Sequence, residues 1–338
     1  MKYLIRMVLA AWAAVSMQIV FAQEVMVVRF SHVVAPESPK GQAAERFAQL
    51  VAQRSGGKVK VDLYPNSQLY GDKDEISALL LGHVEMLAPA LTKLKVLYAP
   101  EFEVFDLPYL FPSTEAAHRV TQGPIGKAML AKLDRQGVIG LAIWDNGFKQ
   151  MSANRPLHTP RDFDGLSLRI QPSRILEAQM KALGAKSRVL QFSEVYSALK
   201  TGLVDGTEGP VSNFYTQNLH LAQRYLTLSN HGYLGYAVVA NKKFWNGLTP
   251  ETRQILETSM NDATAFANES AQRNNALSLE AVIRSGKTQI IELTHEENRA
   301  WHDALAKVHQ QAEGRIPKEL IESIHRETGY TSTLVSLH

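Results

Sequence analysis

Short β-branched runs alternate with stretches of helical periodicity from residue 25 onward. VMVVRFSHV is followed by an amphipathic stretch from about Pro39 to Arg54, then VKVDLYP, then a second helical stretch from about Lys73 to Leu81. The rhythm continues through VEMLAP, two helices between Ser113 and Gln136, VIGLAIW, GLSLRIQ, a helix from about Ser173, SRVLQF, and a helix from Ser193 to Lys200. Ser193 with Glu194 supplies an N-cap residue and a first-turn acid. Repeated βαβ units predict an α/β fold, with two parallel or mixed sheets covered by helices. One stretch breaks the rhythm. After Pro250 there is no Pro or Gly until past Arg284, and a single helix of that length would run about 50 Å. Sustained apolar heptads are missing, so the pattern favours a helix packed across two domains over a coiled coil.

The chain has 338 residues, enough for two packed α/β domains, and no cysteine, which removes disulfides, thiolate metal sites and cysteine nucleophiles. Residues 1–22 carry Lys2 and Arg6, an apolar run from Met7 to Val20, and Val20-Phe21-Ala22 with small residues at the −3 and −1 positions. This reads as a secretory signal cut near Ala22, its apolar core too short to span a bilayer. The expected mature protein is periplasmic and starts near Gln23. Without Lys2 and Arg6 the charge falls from +3 to +1, so the basic excess expected of a nucleic-acid binder is missing.

Two motif fragments fail on inspection. SGKT at Ser285–Thr288 lacks the glycine of a phosphate loop, which would fall at Ala281. His295-Glu296 has Arg299 where a zinc helix needs its second histidine. No nucleophile elbow or dinucleotide fingerprint occurs. No catalytic residue, metal site or cofactor is expected.

The candidate ligand contacts are polar residues where strands meet loops. Arg169 ends the alternating strand GLSLRIQ before Pro172, half-exposed in a cleft; its fork suits a carboxylate, or pairs with a structural Asp or Glu. Lys149 follows the turn in WDNGFKQ, and Lys40 lies in the first strand-to-helix loop; each alone also reads as a solvated lysine. Asn213, near a helix start, offers an amide donor and acceptor or a helix cap. His231, Tyr233 and Tyr236 in HGYLGYA line a cleft or belong to the core, and Glu208 suits orienting a cation.

These stretches are similar to the solute receptors of tripartite ATP-independent periplasmic (TRAP) transporters, and within them to the four-carbon dicarboxylate receptors. The likeness covers the mature chain, through FSHVVAPESPKG, YPNSQLYGDKDE, MLAPALTKL, FEVFDLPYLF, LRIQPSRILEAQMKALGA and FSEVYSALKTGLVDGTEGPVSNFYTQNLHL. The resemblance implies a bilobed periplasmic binding protein, type II-like, with two α/β domains and a long helix spanning both. Domain I would comprise 23–147 plus 235–275, and domain II 148–234 plus 276–338, hinged near Trp144–Lys149 and Gly232–Tyr236. It also implies a ligand carboxylate on Arg169, a contact from Asn213, and Lys149 where sialic acid receptors carry a second arginine. Lys40 and His32 fall near the same cleft by similarity. Gly209 and Val211 depart from the TENP-PSN pattern of many dicarboxylate receptors. The implied function is capture of succinate, fumarate or malate for a membrane permease by a monomer. The alternatives are a monocarboxylate ligand, or an enzyme using His32 or His231 as base.

Overall fold

The computed structural model describes residues 25–312 and 314–329; the expected signal segment and cleavage site lie outside them. Among the described residues all nine strands join one sheet, not the two expected from the sequence rhythm. The strands are β1 (Met26–Ser31), β2 (Val59–Tyr64), β3 (Met86–Leu87), β4 (Val138–Ala153), β5 (Ser167–Ile170), β6 (Lys186–Val189), β7 (Gly206–Gly209), β8 (Tyr225–Asn241) and β9 (Gln289–Glu292). Their order is β2-β1-β3-β8-β4-β7-β5-β6, with β9 on β8. The reason for one sheet lies in β4 and β8, which are 16 and 17 residues long and pair antiparallel along most of their length. Short parallel strands then extend the sheet on both sides: β1 with β2 and β3, β5 with β6 and β7.

One face of this sheet is covered by a core that runs from Leu79, Leu87 and Phe105 to Leu168, Met180 and Trp301. On the other face the apolar packing is split. One cluster gathers Phe30, Phe47, Trp144, Met260 and Ala263 near β1; a second gathers Val195, Leu199, Phe214 and Val282 near β7 and β9. The gap between them is the cleft of a bilobed fold.

Pro250–Ser285 forms one helix of 36 residues, opened by Thr249 Oγ1 accepting from Thr252 N. Its buried stripe, Leu256, Met260, Ala263, Ala267 and Ala271, recurs every three or four residues. The small alanines allow close approach to the helix Pro39–Arg54, and the same long helix also packs on β4 and the helix Val211–Thr216. It thus touches both lobes.

The pairing of β4 and β8 is irregular between Asp145 and Gly147 and again between Lys149 and Met151. Gly147 has φ +99°, and a Cβ there would lie 2.7 Å from Asn275 Nδ2, so the kink depends on glycine. Asn275 of the long helix donates to Asn146 O and accepts from Ser212 N, both at 2.8 to 2.9 Å. The irregular strand, the second lobe and the long helix meet at this one amide.

Candidate functional site

The loop before the helix Pro39–Arg54 sets Lys40. Ser38 Oγ donates to Ala35 O and accepts from Gly41 N, while Pro39 starts the helix, so the S-P-K-G run turns the lysine inward. Lys40 is 1% exposed. Its Nζ donates to Ala88 O at 2.8 Å and sits 3.7 Å from the centre of the Tyr236 ring. No carboxylate lies within 4 Å of it among the described residues. Burial lowers its pKa to about 7, although Glu75 and Asp72 act in the opposite sense.

Across the cleft, Arg169 on β5 is 3% exposed rather than half-exposed. Its Nε and Nη2 both donate to Leu190 O, at 3.1 and 3.0 Å, and the Phe192 ring lies 5.6 Å from its Cζ. It too has no carboxylate within 4 Å among the described residues, so the structural ion pair is not formed. A guanidinium has five N–H donors, and three remain.

Lys149, 1% exposed, is not the solvated lysine that its local sequence allowed. It pairs with Gly232 in the β4–β8 ladder, where a Cβ would lie 3.2 Å from its own Cδ, so the missing side chain at Gly232 leaves its stem room. Its Nζ is 3.0 Å from Glu208 Oε2 and 3.3 Å from Asp106 Oδ1. Burial pushes the ammonium down, but the two carboxylates outweigh it and its pKa is raised. Burial raises that of Asp106, against the pull of Lys149. His231, wholly buried behind Glu208, is bonded to Ser229 Oγ through Nδ1 at 2.8 Å; burial takes it to about 3. A second cation, Lys93, likewise holds two carboxylates, Asp72 and Glu75.

Asn213 lies in the helix Val211–Thr216, two residues past its start, and caps nothing. Its Nδ2 donates to Tyr236 Oη at 3.1 Å and its Oδ1 has no partner among the described residues. Arg169, Lys149 and Asn213 line one cavity with Gln171, Phe192 and Thr207. Its water-accessible volume is about 20 Å³, room for about one water molecule. Gln171 Oε1 is a second unpartnered acceptor there. Buried polar atoms are almost always hydrogen-bonded, so the two orphans mark where a polar guest or water completes the wall. Tyr236 links Asn213 of this wall to Lys40, which lies behind the lining, whereas His32 faces a separate open groove with Gly41 and Phe266. Burial takes His32 to about 3. Among the described residues no group of His, Asp and Glu is placed to hold a metal ion, and no helix is long and apolar enough to cross a membrane.

Sequence reasoning passed over Asp106, Asp72, Lys93 and Phe192. Their partners lie 18 to 120 positions away, and no local period reports such pairings.

A two-lobed sheet with buried cations in the gap is an arrangement suited to a solute-binding protein. Residues 30–315 match the bacterial extracellular solute-binding protein family 7, and the chain belongs to that family. It is 52% identical over 305 residues to the C4-dicarboxylate-binding periplasmic protein of Rhodobacter capsulatus, covering 90% of this chain and 92% of the relative. A TRAP periplasmic solute-binding protein from Shewanella oneidensis with bound succinate superposes with TM-score 0.87 at 38% identity, covering 90% of this chain and 99% of that one. A Pseudomonas aeruginosa counterpart with bound L-malate gives TM-score 0.82 at 41% identity, over 85% of this chain and 99% of that one.

Proposed function

We propose that this protein is the periplasmic receptor of a TRAP transporter, and that it captures a four-carbon dicarboxylate between its lobes for delivery to the membrane permease. The observation that carries this reading is the pairing of charges in the cleft. Lys93 and Lys149 each have two carboxylates, whereas Arg169 and Lys40 are buried with none among the described residues. A buried charge without a partner is costly, and two such cations, Arg169 in the cavity and Lys40 joined to it through Tyr236 and Asn213, suit a ligand with a carboxylate at each end. Arg169 takes one carboxylate with its free N–H groups. The other meets Lys40 and the remaining N–H of Lys149. Asn213 and Gln171 bond hydroxyl or water positions between. The relatives that bind C4-dicarboxylates, succinate or malate support this ligand class.

Thermal unfolding of the refolded, ligand-free mature chain tests this. Succinate, malate and fumarate at a hundred times Kd should each raise Tm by about 4 °C, with no comparable shift from keto or aromatic monocarboxylates. A shift with monocarboxylates alone would refute the dicarboxylate reading.

Lys40 makes the affinity depend on pH. With the ligand absent its proton is lost near pH 7; a carboxylate beside it lifts that value, since opposite charge favours the ammonium. Binding then takes up a proton between the two values, and affinity falls as pH rises, at most about tenfold per unit. The nearby groups are Glu75, Asp72 and Lys93, with His32 neutral throughout this range. Calorimetry with succinate at pH 8 in buffers of different ionisation enthalpy should detect this uptake. Uptake that persists in Lys40→Met would assign it elsewhere.

A further inference from the structure

β2 and β6 are the opposite edges of the sheet's main path, yet the loops that follow them touch. Asp72, beyond β2, accepts through Oδ1 from Lys93 Nζ and through Oδ2 from the backbone N–H of Phe192, beyond β6. Next to it, a Cβ on Gly71 would stand 2.8 Å from Gln191 Oε1, so the two loops are in close apposition. Burial acts upward on the Asp72 carboxyl, but Lys93 and the Phe192 N–H outweigh it, and the group is held ionised below the usual carboxylate range. The loop that Asp72 grips is the one that fixes the ligand arginine. Leu190 O takes two Arg169 N–H groups, and the Phe192 ring covers the guanidinium. Glu194 Oε2 accepts from Gln191 N at 2.9 Å, stiffening the same turn.

We propose that Asp72 is a closure latch and a positioning residue: by holding the Phe192 N–H across the cleft, it ties closure of the lobes to the orientation of Arg169. Asp72 does not line the cavity, and its side chain is only 10% exposed. Its contribution is lost when the lobes part, because its partner Phe192 then leaves with β6, while Lys93 stays with Asp72. A ligand that orients Arg169 steadies the Leu190–Phe192 loop, and that loop presents its N–H to Asp72. The inference rests on the receptor reading above, and it adds a residue that acts on affinity without meeting the ligand.

The test uses the mature chain and succinate as probe. The chain has no cysteine, so Lys58→Cys, just before β2, and Ser187→Cys, on β6, give one spin-label pair across the two edges. In the native background succinate should shift the label distances to a single short population. Asp72→Ala should leave a substantial long-distance population at saturating succinate and weaken binding about tenfold or more, chiefly by faster dissociation. Asp72→Asn keeps an acceptor for Phe192 but a neutral one, and should lose less; it also serves if the alanine variant fails to fold. Native distances and native affinity in both folded Asp72 variants would overturn the latch and leave the receptor reading standing. Failure of the unsubstituted chain to bind succinate would instead overturn that reading.

Discussion

Arg169→Ala is expected to weaken succinate binding by about a hundredfold or more. Two charge-assisted hydrogen bonds to one carboxylate, each worth roughly 1.5 to 3 kcal/mol, are removed together. The substitution also leaves Leu190 O without its two donors inside the protein, which costs about 1 to 3 kcal/mol of stability in its own right. Arg169→Lys separates the two effects. It keeps the charge and offers a donor to Leu190 O, yet lacks the planar fork, so a loss of about tenfold in affinity with near-native Tm is the expected result. Calorimetry on both variants checks the assignment. Undiminished succinate binding in folded Arg169→Ala would remove this residue from the site.

Lys149→Met should be among the most destabilising single changes in the cleft. The methionine fills similar volume but leaves Asp106 and Glu208 facing each other in a buried site with no cation between them. Breaking a buried pair by removing one partner costs about 3 to 5 kcal/mol, or roughly 5 to 8 °C in Tm for a cooperative unit of this size. The sign of its pH dependence follows from Asp106. Burial already raises its pKa in the folded state, so its charged form opposes folding above that value and the penalty is relieved as pH falls through it. Without Lys149 the pKa rises further. Thermal scans should therefore show a larger deficit against the native protein at pH 8 than at pH 5. A deficit that grows on acidification would mean that the Asp106 carboxylate is not held ionised by this lysine.

The sequence pattern located the short strands near the sheet edges and the long helix closely: Pro39–Arg54 has the expected bounds, and Pro250–Ser285 extends the expected helix by one residue. These elements carry their own periodicity, caps and breakers. The pattern missed that β4 and β8 are single strands of 16 and 17 residues, because Gly140, Gly147, Gly232 and Gly235 look like turn signals and here sit within continuous strands. One sheet was therefore read as two. The cap assigned to Ser193 is made instead between Gln191 and Glu194. In the site, Arg169, Lys149 and Asn213 were legible as polar interruptions beside strand ends, and the structure gathers them around one cavity. Their burial was not legible. Lys40 and Lys149 look like surface lysines until the packing of Tyr236, Glu208 and Asp106 around them is seen. Asp72 and Lys93 were hidden for the same reason, since each acts through residues on other elements.

The central claim is that the cleft holds one carboxylate at each end. Calorimetric titration of the ligand-free mature chain with succinate and with butyrate, matched in length and differing in one carboxylate, tests it most directly. The two unpaired cations, Arg169 and Lys40, predict micromolar or tighter succinate binding, about −8 kcal/mol or better, and butyrate binding weaker by a hundredfold or more. Equal affinity for the two acids would contradict the assignment of the second carboxylate.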